Sequence, residues 1–494
     1  MANSQQRSHA AICTFLFTTC MLLGSTAFAT PTITLSKKMG PPTSQILVSG
    51  SGFPSNVGVD IYFDSTDEAH VVTDANGAFG GTAIRAPRSA HPGEHWVTAV
   101  ERNGNQSAKE PFLVNTNWPQ FLYDNAHSGI NPYENSLNTK TVSLLTLKWT
   151  VPNNNAGSSA AVVDGVLYDG ISGAMSARSA TTGVLQWTYQ TSPGAIYTSP
   201  TVANNVVYFG TDSGYVYALN AREGTLLWSY LTPSLVHSSL TLADGIVYFG
   251  SWDGTFFALN ADTGAPVWTF TAGRTIESTP AVVNGKVYFG SDDGNLYVLD
   301  QNTGTLLWQY AALSYVASAP AVANGMVYFG SYDGYLYALD ADTGSFRWKF
   351  PTGQIVYSSP AVANGIVYLA GWDGNLYAVS AGRGELMWQH FVSASINSPA
   401  LANGVVYIAA QNSLDALDAL TGDLLWSYSV NGHNGSSAAV TNGMIYLNSL
   451  LNIYVFGLPG TPSGTVLNSH PPDSKILRPN LELRPLSFAK VPVE

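Results

Sequence analysis

Short runs of alternating apolar and polar residues, each closed by a turn, fill the chain from about residue 157 onward. One unit repeats there, with the form S-S-P-A-V-A-N-G-x-V-Y-F-G-S-x-D-G-x-L-Y-A-L-D-A-x-T-G-x-L-L-W. Asn324-Gly325 and Asp333-Gly334 are two-residue turns of the type that joins antiparallel strands, because both residues tolerate positive φ. Thr343-Gly344 marks a third turn, and the runs between turns are rich in β-branched and aromatic residues. Each unit therefore predicts four short antiparallel strands.

Tryptophans mark the period of this repeat, which is roughly 40 residues, the length of a four-stranded propeller blade. They stand at Trp149, Trp187, Trp228, Trp268, Trp308, Trp348, Trp388 and Trp426. A sheet this small cannot bury both of its faces alone, whereas stacking between neighbours around an axis buries them. We therefore expect a β-propeller in which these tryptophans are structural and dock each blade on its neighbour.

The two ends of the repeat do not match, and this mismatch indicates the blade number. The segment from Val142 to Thr150 carries Trp149 without a preceding Thr-Gly unit, whereas the final unit, Ser436 to Leu458, has no tryptophan strand. We expect the early segment to supply the outer strand of the last blade. The sequence thus predicts an all-β fold with an eight-bladed propeller of four-stranded antiparallel blades over 142–458.

The regions beside the propeller have a different character. Residues 30–116 hold short alternating runs separated by turns, such as Thr32–Leu35 and Trp96–Val100, which predict a small immunoglobulin-like β-sandwich. We expect residues 117–141 to be a linker that packs on the propeller. The Pro-rich residues 459–494 predict an extended or disordered tail.

Residues 1–29 predict a signal peptide. Arg7 precedes an apolar run from Ala10 to Leu23, and Ala27-Phe28-Ala29 matches a cleavage site. The run is shorter than the roughly 20 residues of a membrane span, so we expect an exported mature chain without a transmembrane segment, in the periplasm or outside the cell. Both cysteines, Cys13 and Cys20, lie in this segment. The mature chain then has no disulfide, thiolate metal site or cysteine nucleophile.

Charge narrows the possible partners. Charged residues make up 11% of the chain and the formal net charge is −12. Because nucleic-acid binding needs a basic patch, we expect no nucleic-acid partner.

The unit Ala338-Leu-Asp-Ala-Asp-Thr-Gly-Ser-Phe-Arg-Trp348 resembles the tryptophan-docking motif of the pyrroloquinoline-quinone-like (PQQ-like) repeat family. The resemblance covers about 142–458, and the lead-in Trp118-Pro-Gln-Phe121 with His127-Ser-Gly129 is similar to that of exported members. It implies an eight-bladed propeller. The family contains PQQ-dependent dehydrogenases, outer-membrane assembly lipoproteins of the BamB type and exported binders, so function has to be argued from a site.

Two of these functions fit the sequence poorly. Methanol-dehydrogenase-like enzymes place a disulfide of adjacent cysteines against the quinone and carry a Ca²⁺ cluster on long insertions, whereas here the mature chain has no cysteine and the connections are nearly uniform. For the assembly lipoproteins, Phe17-Thr-Thr19 before Cys20 is a poor match to a lipid-attachment site.

A ring of variable residues marks the candidate site. The position eight residues before each first-turn glycine should surround the mouth of the central channel, because the Asp-Gly tips and the loops between blades share that face. This position holds Gly157, Tyr197, His237, Glu277, Ala317, Tyr357, Ile396 and Gly435. Its aromatic, histidine and carboxylate groups, with Arg274 nearby, suit a small-molecule pocket. A water-filled channel, a Glu277–Arg274 pair and a two-ligand metal pair of His237 and Glu277 are the alternatives.

Aromatic residues beside the Asp-Gly tips form a second candidate surface. Trp252, Tyr332 and Trp372 can stack on sugar rings or dock a protein. We expect an exported, non-catalytic binding scaffold with a protein or glycan ligand, and we assign it no catalytic residue and no metal ligand. The alternatives are a PQQ-dependent oxidoreductase, with PQQ and Ca²⁺ as cofactors, and an envelope assembly factor of the BamB type. The oligomeric state stays open.

Overall fold

The computed structural model describes residues 30–460 and 475–477, apart from 154–156, 172, 192–193, 394–396 and 432–434. The predicted signal peptide, Ile396 and most of the predicted tail lie outside the described residues. Within the described ranges, no helix is long and apolar enough to cross a membrane.

The described chain divides into two compact units. One comprises the residues up to Ser36, Leu47–Ile84 and Trp96–Glu110, and the other comprises Lys37–Ile46, Arg85–His95 and the chain from Pro111 onward.

Two sheets form from the N-terminal region, with strand orders β1-β3-β6 and β2-β8-β7-β4-β5. Their strands are β1 (Thr32–Leu35), β2 (Met39–Gly40), β3 (Gln45–Ser51), β4 (Gly58–Phe63), β5 (Thr66–Val72), β6 (Phe79–Arg85), β7 (Gly93–Glu101) and β8 (Ser107–Val114). Buried and exposed residues alternate along β3, as expected for a strand with one face on a core. The immunoglobulin-like assignment stays a prediction.

Eight sheets built on four antiparallel strands follow. Before them come β9 (Ile130–Asn131), a 3-10 helix (Val142–Leu144) and β10 (Thr146–Pro152). We number the sheets as blades 1 to 8 in chain order. Blade 1 is β11 (Ala161–Val163), β12 (Val166–Ile171), β13 (Ala174–Ser179) and β14 (Leu185–Gln190); blade 2 is β15 (Thr201–Ala203), β16 (Val206–Gly210), β17 (Tyr215–Asn220) and β18 (Leu226–Leu231); blade 3 is β19 (Thr241–Ala243), β20 (Ile246–Gly250), β21 (Thr255–Asn260) and β22 (Pro266–Thr271); blade 4 is β23 (Ala281–Val283), β24 (Lys286–Gly290), β25 (Asn295–Asp300) and β26 (Leu306–Ala311). Blade 5 is β27 (Ala321–Ala323), β28 (Met326–Gly330), β29 (Tyr335–Asp340) and β30 (Phe346–Pro351); blade 6 is β31 (Ala361–Ala363), β32 (Ile366–Ala370), β33 (Asn375–Ser380) and β34 (Leu386–Phe391); blade 7 is β35 (Ala400–Ala402), β36 (Val405–Ala409), β37 (Ser413–Asp418) and β38 (Leu424–Ser429); blade 8 is β39 (Ala439–Thr441), β40 (Met444–Asn448) and β41 (Asn452–Gly457) together with β10.

The ends of the repeat meet in blade 8. β10 pairs antiparallel with β41, so the N-terminal side supplies the outer strand of that sheet. The segment predicted as a strand from Val142 begins with the 3-10 helix instead, and its strand runs from Thr146 to Pro152. Each innermost strand contacts the next, and β39 contacts β11. This closed circle of sheets confirms the predicted all-β propeller.

Two aromatic donors share one carbonyl at each typical contact between blades. From blade 3, Trp268 Nε1 donates to the carbonyl of Gln301 in blade 4 at 3.0 Å, and the Tyr248 hydroxyl donates to the same oxygen at 3.3 Å. A carbonyl oxygen can accept both because it has two lone pairs. The same arrangement joins Tyr168 and Trp187 to Ala221, Tyr208 and Trp228 to Ala261, Tyr328 and Trp348 to Ala381, and Tyr368 and Trp388 to Ala419.

The three remaining docking tryptophans, Trp149, Trp308 and Trp426, do not share a carbonyl with a tyrosine in this way. Trp149 Nε1 donates to the carbonyl of Ala180 at 3.2 Å. Trp426 lies edge-on to Phe456 with ring centroids 5.2 Å apart. Trp308 Nε1 is buried and has no hydrogen-bond partner among the described residues.

The linker follows the innermost strands of every blade in turn. We call residues 118–131 the belt segment. It bonds, from blade 1 to blade 8, to Val162 through Trp118, Val202 through Pro119, Leu242 and Val282 through Asn125, Val322 through Ala126, Val362 through Ser128, Leu401 through Gly129 and Val440 through Asn131. These eight partners occupy the same register in their blades, so one short segment spans the whole ring.

A short strand from the tail region also joins the propeller. β42 (Lys475–Leu477) pairs in parallel with β14, the outer strand of blade 1.

Candidate functional site

The predicted mouth ring lines one cavity at the centre of the propeller. Tyr197, His237, Glu277 and Tyr357 all face a cavity of about 240 Å³. Gly157, Ala317 and Gly435 from the same register line it too. Each of these seven residues lies just before the innermost strand of its blade, as the repeat predicts. Phe121 of the belt segment also lines this cavity. Because the belt segment bonds to the innermost strands themselves and the ring residues precede those strands, we take Phe121 as the floor of the cavity.

Arg274 lies at the outer edge of the mouth, near Asp292 and Tyr315, and not inside the cavity. It is exposed and does not line the cavity, and its guanidinium donates a hydrogen bond of 3.3 Å to the hydroxyl of Tyr315. The expected Glu277–Arg274 pair is therefore not the arrangement seen. Its position three residues before the ring register places Arg274 on the exposed loop between blades, outside the channel.

Three aromatic rings form one side of the mouth. The rings of Tyr197 and His237 lie 4.6 Å apart at 39°, and His237 meets Trp252 edge-on at 4.7 Å. Burial lowers the pKa of His237, while the charge of Asp212 acts in the opposite direction. His237 Nε2 is buried and has no hydrogen-bond partner among the described residues, so it can bond to a ligand.

Two carboxyl groups and three tyrosines form the other side. The Tyr357 hydroxyl reaches across Ala317 to donate to Glu277 Oε2 at 3.4 Å. Burial raises the pKa of Glu277, and the nearby charge of Asp292 raises it further. The pKa of Asp292 is raised by burial as well, although Arg274 opposes this.

The tyrosine rings continue this side outward. Tyr332 lies 6.1 Å from Tyr357 and 5.6 Å from Tyr315, measured between ring centroids. Burial raises the pKa of Tyr332 to about 12, so it is a neutral hydroxyl at physiological pH.

Two of the three predicted tip aromatics, Trp252 and Tyr332, form one continuous surface with the mouth ring. Trp252 contacts His237, and Tyr332 contacts Tyr357, because each tip folds back on the preceding loop between blades. The backbone N–H of Trp252 bonds to the carbonyl of Leu235, and the equivalent bond recurs at Tyr332 and Trp372. Trp372 is 45% exposed and has no ring contact among the described aromatic pairs.

Sequence reasoning missed Asp292, Tyr315 and Phe121. Asp292 occupies the variable position before an Asp-Gly turn, which is the register that holds Trp252 and Tyr332 in neighbouring blades. That register was the available signal. No sequence signal marked Phe121 as a cavity residue, because its position depends on the path of the belt segment around the blades.

A belt of hydroxyl groups lies between the mouth ring and the floor. The backbone N–H of one blade donates to a side-chain hydroxyl of the next, in the order Ser159 to Ser199, Ser199 to Ser239, Ser239 to Thr279, Ala319 to Ser359, Ser359 to Ser398, Ser398 to Ser437 and Ser437 to Ser159. The step from Thr279 is the exception, because Ala319 offers no hydroxyl. Blade 5 thus has alanine at both cavity positions, 317 and 319, which leaves room between Glu277 and Tyr357.

This arrangement is suited to binding. No group of three or more His, Cys, Asp or Glu side chains that could hold a metal ion occurs in the part of the chain that the structure describes. The carboxylates of the Asp-Gly tips already accept hydrogen bonds within their own blades. Asp293 accepts one of 2.6 Å from the Tyr297 hydroxyl, and Asp333 accepts one of 2.6 Å from the Tyr337 hydroxyl.

Known proteins share this architecture. BamB from Moraxella catarrhalis is 19% identical, with a TM-score of 0.57 over 64% of this chain and 100% of that one. A quinohemoprotein alcohol dehydrogenase from Comamonas testosteroni is 14% identical, with a TM-score of 0.62 over 76% of this chain and 83% of that one. A europium-containing methanol dehydrogenase is 13% identical, with a TM-score of 0.60 over 69% and 98%. At these identities the likeness shows the fold alone.

A search of curated proteins returned no significant match. The family described as "outer membrane protein assembly factor BamB" matches residues 140–250, 235–317 and 314–452, which together span most of the propeller. The chain therefore belongs to this PQQ-like repeat family of β-propellers.

Proposed function

We propose that this protein is an exported, non-catalytic binding scaffold that holds a compact ligand, free or at the end of a glycan or protein, at its channel mouth. The observation that supports this most is the convergence of Tyr197, His237, Glu277 and Tyr357 on one cavity with Phe121 as its floor. Aromatic walls with a few polar groups are the usual lining of a ligand site. At about 240 Å³ the cavity is smaller than the roughly 300–1,000 Å³ of drug-sized sites, so we expect a small ligand or one end of a larger one.

Bound PQQ with Ca²⁺ does not fit the residues present. PQQ is a polycarboxylate, and the mouth presents Glu277 and Asp292 to it, while Arg274 donates to Tyr315 instead. A Ca²⁺ ion needs six to eight oxygen ligands, which this mouth does not supply from its described side chains. We therefore propose no redox chemistry for this site.

A ligand panel with a blocked mouth tests the binding function. Ala317→Tyr should fill the space between Glu277 and Tyr357, and tyrosine is acceptable at this register because blades 2 and 6 carry it. Wild-type protein is screened by thermal shift and tryptophan fluorescence against compact sugars, amines, carboxylates and PQQ with Ca²⁺. We expect at least one compact class to bind, with a loss of tenfold or more in A317Y. Leu313→Tyr is the control, because Leu313 is 82% exposed on the same loop and lies outside the cavity.

Two results would reject this function. One is that no compact ligand shifts the wild-type protein, and the other is that bound ligands are retained in A317Y. Saturable PQQ binding that A317Y abolishes would favour an oxidoreductase instead.

A second candidate, assembly of envelope proteins, is favoured by the family match. The outer strands expose apolar side chains around the perimeter, including Leu227 at 51%, Leu307 at 46% and Met387 at 48%. Exposed apolar surface of this kind is typical of protein interfaces. Site-specific photo-crosslinking from Leu307 in cells should then trap an outer-membrane protein, whereas crosslinking from Trp372 on the mouth face should not. Crosslinks of equal yield from both positions would count against a perimeter interface.

A further inference from the structure

The acidic side of the mouth suggests the class of ligand. We infer that the mouth of this cavity binds a compact organic cation, a substituted ammonium group held between the carboxylates of Glu277 and Asp292 and the rings of Tyr332 and Tyr357. This inference rests on the proposed binding function and specifies its ligand.

Two carboxylates lie at this point, and the cation near them, Arg274, acts on Asp292 and donates to Tyr315 rather than to Glu277. Glu277 and Asp292 are both half-buried, and Asp292 is close enough to Glu277 to disfavour its ionisation. Neither takes part in an ion pair among the described residues. A bound cation would relieve this repulsion, whereas an anion would add to it. The formal net charge of −12 for the whole chain also favours the approach of a cation.

The aromatic rings favour an organic cation over a metal ion. Tyr332 and Tyr357 have ring centroids 6.1 Å apart at 54°, which presents two ring faces beside the carboxylates. Ammonium groups bind to such faces through the ring quadrupole, and quaternary ammonium ligands are typically recognised by cages of this kind. A hard metal ion would need more oxygen ligands than the two carboxylates provide.

The two alanines of blade 5 provide the space. Ala317 separates Glu277 from Tyr357, and the Tyr357 hydroxyl already bridges that gap at 3.4 Å. A longer side chain at residue 317 would occupy this place. The tilted pair of Tyr197 and His237 lines the same cavity from blades 2 and 3, where it can cover the apolar part of the ligand.

Calorimetric titration with a matched pair of probes tests the inference. Choline is the cation, and 3,3-dimethyl-1-butanol is its neutral analogue of nearly the same shape. We expect choline to bind at least tenfold more tightly than the alcohol. Glu277→Gln should weaken choline binding by tenfold or more and leave binding of the alcohol unchanged.

A control variant and a folding check make the test decisive. Glu385→Gln neutralises an exposed carboxylate that lies 4.0 Å from Arg383, away from the cavity, and should leave both affinities unchanged. The Tm of E277Q should equal or exceed that of wild type, because burial disfavours the charged form of Glu277.

The outcomes separate the inference from the function beneath it. Equal binding of both probes, or full choline affinity in E277Q, overturns the cation inference while A317Y-sensitive binding keeps the proposed function. If neither probe binds but A317Y abolishes binding of a sugar or carboxylate, the cation inference fails alone. If no compact ligand of any class binds, both fail.

Discussion

Asp169 stands in blade 1 at the register where blades 2 to 5 have phenylalanine. It is fully buried, accepts a hydrogen bond of 2.5 Å from the Ser176 hydroxyl, and has Arg178 nearby. Burial raises its pKa from 3.8 to about 6, although Ser176 and Arg178 act in the opposite direction. A carboxyl group with a raised pKa in the folded state stabilises the fold relative to the unfolded chain only while it is protonated.

We predict that Asp169→Asn flattens the dependence of stability on pH. In wild type, the contribution of this group is complete below pH 4 and is lost as the pH rises to about 6. The variant should gain on the order of 2–3 kcal/mol at neutral pH, because one pKa unit corresponds to about 1.4 kcal/mol. Urea unfolding at pH 4, 5, 6 and 8 measures this, with Asp262→Asn in an exposed turn as the control. Parallel curves for D169N and wild type would show that Asp169 does not titrate in this range.

The ionisation of Glu277 predicts how cation binding depends on pH. Because burial and Asp292 raise the pKa of Glu277, choline affinity should begin to fall at a higher pH than for an ordinary glutamate. Protonation removes the charge that attracts the ligand. Titrations between pH 4 and 8 should show this decline in wild type and a weaker one in E277Q, where only Asp292 remains. Identical profiles would remove Glu277 from the explanation.

The sequence predicts some residues of the site better than others. Tyr197, His237, Glu277 and Tyr357 could be placed because the repeat fixes their register beside the innermost strands. Arg274 could not, because the repeat does not fix the direction of side chains on the loops between blades. The same loops bring Tyr315 and the tips together, and those contacts depend on side-chain packing that the register does not specify.

At the scale of the element, the glycine of each Thr-Gly turn packs against the docking tryptophan of the preceding blade. Gly304 has a φ of +68°, and a Cβ there would lie 2.5 Å from the ring of Trp268 in the preceding blade. Gly325 in an Asn-Gly turn has a similar φ of +75°, but nothing lies within 4 Å of an added Cβ. The two positions therefore share a left-handed backbone that would strain any residue with a Cβ, and they differ in packing.

We predict that Gly304→Ala destabilises the protein more than Gly325→Ala. Both should lose about 1–2 kcal/mol through the left-handed backbone. G304A should lose a further 1–3 kcal/mol, approximately, because the added methyl group overpacks the Trp268 ring. Chemical denaturation of both variants measures the difference. Equal losses would indicate that the Trp268 ring shifts at no cost.

Strands were easier to predict than the belt segment. Asn-Gly, Asp-Gly and Thr-Gly turns fix where hairpins begin, so the strand order within each blade follows from local chemistry. The belt segment binds mostly through backbone groups, for example the carbonyls of Pro119 and Gly129. Backbone hydrogen bonds of this kind leave no pattern of side chains, so its path around all eight blades could not be predicted.

At the scale of the whole molecule, closure depends on one strand that is distant in sequence from its partner. β10 pairs with β41, so residues near 150 and 455 hold the ring together. Blade 8, which contains both strands, is joined to blade 1 by packing of the innermost strands and by three hydrogen bonds. They run from Ser437 N–H to the Ser159 hydroxyl, from Asn448 Nδ2 to the Ser158 carbonyl and from Trp149 Nε1 to the Ala180 carbonyl.

We predict that replacing Thr146–Pro152 by a Gly/Ser segment of equal length lowers the Tm and broadens the unfolding transition. The matched control replaces Leu306–Ala311, the outer strand of blade 4, which also carries a tryptophan but lies between blades that the chain itself connects. Differential scanning calorimetry should show the larger loss for the β10 variant. An equal loss would mean that blade-to-blade packing suffices for closure.

Phe121 lines the cavity, and the belt segment follows the innermost strands of all eight blades, so we expect the channel to open only at the mouth ring. Whatever occupies the cavity must enter and leave on the same side, and the water it displaces must leave that way too. With a single opening a polymer would be unable to thread through the ring, and it would present only a terminus or a side branch to Glu277 and its neighbours. The propeller would therefore bind the ends of a polymer and not its interior. Cutting a long polymer into shorter pieces would then increase the number of ends that can bind, although the chemical composition of the polymer stays the same.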